Sequence, residues 1–230
     1  MSPDYYVRLE QGRHQTASPA LLNSLAQALR LSVGDRALLF ALARVVDPNP
    51  AEGRSAREEH ELLHGMLAVF GSTPAVLFDE IGDILLANDA ACFLFDVDFN
   101  VLPEEQRNCI YWMLTSPRAR ELYADHWEEV AAQMIGKLKA EIALHPRHLR
   151  AKTLAEILLQ ESELFQEVWK QSETAFCVQG VQTLQHRIAG MVRVRSEAVT
   201  IQSSPGRVFY LLVPLDDTFE KAWRAHSGAR

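Results

Sequence analysis

The chain has 230 residues and a formal charge of −7, with hydrophobic residues at 48% and charged residues at 23%. That balance belongs to a folded chain and excludes a disordered, collagen-like or small disulfide-scaffold protein. No run reaches the roughly twenty apolar residues of a membrane span, no basic and apolar leader opens the chain, and three well-separated cysteines (Cys92, Cys109, Cys177) point to a reduced, cytoplasmic protein.

The charge is uneven. Residues 1–46 hold five arginines against three acids, a balance of +2, which leaves −9 for the rest. The change falls in a polar stretch, residues 47–55, with Pro48, Pro50 and Gly53, which cannot continue a helix. The expected organisation is a mildly basic head (1–46), a linker (47–58) and an acidic body (59–230). The total of −7 argues against wholesale nucleic-acid binding, but it leaves room for a small basic module on an acidic body.

The head reads as three helices. Ser2-Pro3 is an N-cap followed by proline at the first helical position, opening a helix over 4–11 that Gly12 ends. Ser18-Pro19 repeats the signal, and Leu21, Leu22, Leu25, Ala26 and Leu29 share one helical face. Ser32 opens a third helix, with Leu38, Leu39 and Leu42 expected to be buried. The body starts with a helix near 57–70. Two short apolar runs around Ile81-Gly82-Asp83 then read as a β-hairpin. Helices are expected over 117–144, where Trp127, Ala131, Met134, Leu138 and Ile142 recur at three or four, and over 149–171. Residues 173–187, 191–202 and 207–214 are β-rich. Within them Arg193 and Arg195 alternate with valines on what reads as a solvated face. Strands, then helices, then strands are satisfied by one antiparallel sheet with helices across it, an α+β fold.

Two stretches carry a family resemblance. Ser2-Pro3-Asp4-Tyr5-Tyr6-Val7-Arg8-Leu9-Glu10-Gln11-Gly12-Arg13 resembles the second half of a helix-turn-helix of the phage-repressor class, and is similar to that of MmyB-like transcription regulators. In the body the same family is resembled by Thr73-Pro74-Ala75, by Asp79-x-x-Gly82-Asp83 and by Ala87-Asn88-x-Ala90-Ala91. Arg107-Asn108, Ser116-Pro117-x-Ala119-Arg120, the stretch 125–128 and Trp169 match it too. The resemblance implies a PAS-like body, an antiparallel sheet with a large helical insertion, whose pocket takes a fatty-acid-like ligand. It also implies a homodimer contacting DNA through an N-terminally incomplete helix-turn-helix head, since the chain opens at the recognition helix. By carry-over Ser2 meets a phosphate, Asp4 and Arg8 face bases and Arg13 meets a second phosphate. The tail departs from the family, with Gln182 where a lysine is favoured and His186-Arg187 where His-Pro is favoured.

A ligand carboxylate needs a fixed donor set at one end of an apolar tunnel. Arg107 with Asn108 is the candidate pair, the alternative being a surface ion-pair residue and a helix cap. Phe93, Phe95, Tyr111, Trp112 and Trp169 are candidate walls, the alternative being plain core. His60-Glu61-Leu62-Leu63-His64 matches the zinc-protease helix motif, but no third ligand follows His64, and a solvated helix face is the plainer reading. No nucleophile elbow, phosphate loop or dinucleotide fingerprint is present, so no catalytic residue, metal or cofactor is expected beyond a bound fatty acid. The expected function is a ligand-responsive transcription regulator. The alternative is a sensor or dimerisation module without DNA binding of its own.

Overall fold

The computed structural model describes residues 17–43, 56–171 and 180–228. The helix expected over 4–11, the DNA-facing candidates Ser2, Asp4, Arg8 and Arg13, the stretch 47–55 and the start of the tail's first β-rich run lie outside the described residues. The chain divides into two compact units, residues 1–59 with 202–205, and residues 60–201 with 206–230.

In the first unit, α1 (Pro19–Ala28) is capped by Ser18, whose Oγ accepts from Leu21 N, and α2 (Val33–Leu42) is capped by Ser32. The two helices pack on one another. Leu22, Ala26 and Phe40 are buried, and the Arg36 guanidinium lies 5.0 Å from the Phe40 ring centroid. The expectation for α2 is corrected here. Leu38 and Leu42 are exposed, because each lies two residues from Phe40, about 200° around the helix from the buried side. Leu29 of the α1 stripe is exposed too.

The helix over Ala56–Val69 (α3) leads into the second unit. There, β1 (Ala75–Phe78) and β2 (Ile84–Ala87) form the expected hairpin. The helical insertion follows: α4 (Asp89–Phe95), α5 (Cys109–Thr115), α6 (Pro117–Tyr123), α7 (Trp127–Leu144), α8 (Leu149–Glu161) and α9 (Glu163–Lys170). The chain then returns to β3 (Gly180–His186), β4 (Gly190–Thr200) and β5 (Val208–Pro214), and α10 (Thr218–Ser227) closes it. All strand pairs are antiparallel, in the order β2-β1-β5-β4-β3, so the last strand inserts beside the first. This is the α+β, PAS-like arrangement expected.

Two helices read from the sequence as continuous are broken. The one over 117–144 is interrupted at Ala124, whose φ of 46° no α-helix accommodates, and a 3-10 turn separates α6 from α7. The one over 149–171 restarts at Ser162, whose Oγ accepts from Phe165 N and caps α9.

Alternation sorts the sheet's two faces, except that a bulge in the β1–β2 pairing turns Ile84 and Leu86 to opposite sides. Val76, Ile84, Leu184, Val192, Val194 and Leu212 face the inserted helices and join Leu122, Ile135, Leu138, Leu154 and Leu158 in the main core. Ala75, Leu77, Leu86 and Phe209 face the other way, against Leu63 and Leu67 of α3. Arg193 and Arg195 lie exposed on β4. Among the described residues no helix is long and apolar enough to cross a membrane.

The β1–β2 turn is built by Asp79, whose Oδ1 accepts from Ile81 N (3.1 Å) and Asp83 N (2.8 Å). Gly82 sits at φ +83°, and a Cβ there would lie 2.6 Å from Cys109 Sγ. Gly82→Ala is therefore expected to cost about 2 kcal/mol from backbone strain and the clash, read as a lower urea midpoint. Gly82→Ala combined with Cys109→Ala should recover the clash and leave the strain.

Candidate functional site

Asn108 is fully buried and caps α5. Its Oδ1 accepts from Ile110 N (2.9 Å) and Tyr111 N (3.1 Å), while Nδ2 donates to Ile81 O (3.1 Å) and Asp83 Oδ1 (2.8 Å). An amide has two donors and two acceptor positions, so all four are spent inside the protein. The reading of Asn108 as a ligand donor gives way to its helix-cap alternative. The same corner is closed by Arg150, whose Nε and Nη2 fork onto Asp83 Oδ2 (3.1 Å) and Oδ1 (3.2 Å). Burial pushes the Asp79 carboxyl in this turn up to about 6, against the Asp83 and Ile81 amides that favour its ionised form.

Arg107 stands beside it on a fixed backbone, its carbonyl accepting from Ile84 N at 2.7 Å. The residue is half-buried, and its Nε is buried with no hydrogen-bond partner among the described residues. A guanidinium nitrogen in that state awaits an acceptor. The next turn carries Tyr111, whose hydroxyl is pushed up by burial and then by its hydrogen bond to Glu161.

The candidate walls fall into three groups. Trp112 meets Phe95 (5.3 Å between ring centroids) and Phe99 (5.7 Å) edge-on in the main core. Phe93, two residues from Phe95, lies on another side of α4 and packs on His186 (4.6 Å), His226 (4.7 Å), Trp223 (5.5 Å) and Phe219 (5.7 Å). Trp169 stacks on Phe165 at 4.9 Å, and its carbonyl accepts from Lys139 Nζ. The sequence offers these rings as tunnel walls or as plain core. All of them belong to the main core or pack against it, in separate groups of ring contacts.

The Phe93 group borders an open cleft of about 440 Å³ between α4, the β3–β4 hairpin and α10. Phe93, Val97, Ile188 and Trp223 give it apolar surface, and Asp89, Asp96, Asp98, His186, Arg187 and His226 give it polar surface. At its edge two arginines converge on the same two carboxylate oxygens. Arg187 Nη1 reaches Asp96 Oδ2 at 2.9 Å, and its Nη2 and Nε reach Glu121 Oε2 at 2.8 and 3.1 Å. Arg118, only 8% exposed, stands at 3.7 Å from Asp96 Oδ2 and 3.5 Å from Glu121 Oε2, and its Nε and Nη2 make no hydrogen bond among the described residues. Burial and the neighbouring Arg187 lower the Arg118 pKa, whereas the Glu121 carboxylate raises that of Arg187. His186, Arg118 and Arg187 were not candidates from sequence. Their partners lie in distant segments, and no local spacing marks them.

His60 and His64 of α3 lie with ring centroids 4.7 Å apart. Among the described residues no group of three or more His, Cys, Asp or Glu side chains is placed to hold a metal ion.

A family model described as the MmyB-like transcription regulator ligand binding domain matches residues 60–225. No curated protein matches the chain.

Proposed function

Because the chain belongs to the family of the MmyB-like transcription regulator ligand binding domain, we propose that its body is the sensor of a ligand-responsive regulator whose ligand is an elongated, fatty-acid-like apolar acid. The observation that carries the acid is Arg107, whose buried Nε has no acceptor among the described residues. A carboxylate supplies one, and a charge-assisted bond to a part-buried guanidinium is worth more than a neutral one. The proposal extends to a cytoplasmic homodimer with no catalytic step. Ligand binding favours one arrangement of the body and so one spacing of paired heads, with Ser2, Asp4, Arg8 and Arg13 at the DNA.

Lipid extraction of the purified protein followed by mass spectrometry should recover a long-chain acid, and added palmitic acid should raise the melting temperature. Arg107→Met should weaken palmitate binding about tenfold or more while leaving the fold intact. Absence of bound lipid together with no thermal shift from a series of saturated fatty acids defeats the proposal.

A further inference from the structure

We propose that the cleft between α4, the β3–β4 hairpin and α10 binds a small monocarboxylate with an apolar body, which takes Arg187 as its partner while Asp96 and Glu121 pass to Arg118. Two guanidiniums crowd onto Asp96 Oδ2 and Glu121 Oε2; exposed Arg187 holds the short bonds, and buried Arg118 is left with two unbonded donors. Buried donors without acceptors are costly, and Arg118 gains if Asp96 and Glu121 turn from Arg187 to it. A carboxylate on Arg187 replaces the two acids that leave it. Asp96 then closes on Arg118 Nε, and Glu121 on Nη1, by less than about an ångström.

Arg187 lines the cleft, so the anion has a way in, and the ion pairs it displaces are half-exposed ones that contribute little. The apolar body has a seat on Phe93 and Trp223 and beneath Ile188, which is 68% exposed at the hairpin tip. Asp89 and Asp98 on the same lining disfavour a dianion such as phosphate. Asp98 is already bonded by Asn100, and Asp89 lies in the first turn of α4, where the helix end favours its charge.

The test is isothermal titration of the full chain with hexanoate, benzoate and indole acetate, with inorganic phosphate as the comparison. Saturable binding of at least one carboxylate is expected, with phosphate weaker. Arg187→Gln, an exposed change, should lower the affinity about tenfold or more. Arg118→Lys keeps the buried charge without the planar fork that receives both acids, and should lower the affinity several-fold although Arg118 does not touch the ligand. No saturable binding by any of the three carboxylates, or wild-type affinity in Arg187→Gln, overturns the site. Wild-type affinity in Arg118→Lys overturns the exchange.

Discussion

Asn108→Ala is expected to lower the unfolding free energy by about 3–4 kcal/mol, the largest effect of a single side chain in this corner. The loss has three parts. Ile110 N and Tyr111 N lose their cap, worth about 1 kcal/mol for an ordinary exposed cap and more for one fully buried. Ile81 O loses its donor inside the β1–β2 turn. Asp83 loses its bond to the amide and is left on Arg150 alone. Asn108→Ser separates these contributions, since a hydroxyl restores a cap acceptor but cannot reach both the turn and Asp83, so it should recover about 1 kcal/mol. Asn108→Asp keeps the acceptors and sets a carboxylate against Asp83, so it should be as damaging as alanine. Urea unfolding followed by circular dichroism reads all three. A loss below about 1 kcal/mol in Asn108→Ala would show that the turn and α5 are held together elsewhere.

The order of elements was legible where apolar periodicity and punctuation agree. The β1–β2 hairpin shows as two apolar runs around Gly82, and α1 as a Ser-Pro start before a leucine stripe. The insertion of β5 between β1 and β4 was not legible, because the Val76–Tyr210 pairing spans most of the chain and has no local signal. Periodicity also ran through the breaks at Ala124 and Ser162, since each following helix resumes an apolar face in phase. Ala124 is marked by neither glycine nor proline. Ser162, standing three residues before Phe165, is the ordinary N-cap signal. At the site, Arg107-Asn108 was found as a pair but with two meanings left open. Asn108 turned out to be the cap, because only tertiary contacts with Ile81 and Asp83 decide where its amide points. That Phe93 and Phe95 make different contacts was legible in the sequence: residues two apart on a helix diverge by about 200°. The Arg118–Arg187 cluster draws on α4, α6 and the β3–β4 hairpin, and no single segment carries its pattern.

The second large effect belongs to His186. Its Nδ1 accepts from Ala189 N (2.9 Å) and Ile188 N (3.3 Å), which fixes the proton on Nε2, where it is donated to Phe93 O at 2.9 Å. The ring is 4% exposed and ties the β3–β4 hairpin to α4 in its neutral form alone. A second proton on Nδ1 would face two amide N–H groups. Burial lowers the pKa below its ordinary 6.5, and Arg118 on α6 and His226 on α10 lower it further; the Phe93 carbonyl and Asp96 oppose them. The folded value is therefore below the unfolded one. From about pH 6.5 downward the unfolded chain takes up the proton first, and stability is lost as pH falls toward the folded value. Asp79 acts with the opposite sign. Its folded value near 6 exceeds the ordinary 3.8, so its contribution grows as pH falls through 6. Wild-type stability should thus decline just below pH 6.5 and level off below 6, where Asp79 offsets His186, and Asp79→Asn should expose the uninterrupted decline. His186→Phe keeps an aromatic ring but removes both nitrogens, leaving the buried Phe93 carbonyl without its donor and the two part-buried hairpin amides without their acceptor. It should cost about 2–4 kcal/mol near neutral pH and abolish the decline below 6.5. Urea unfolding across about pH 5 to 8 measures both. A His186→Phe curve running parallel to the wild type would show that the imidazole is not held neutral by the hairpin amides.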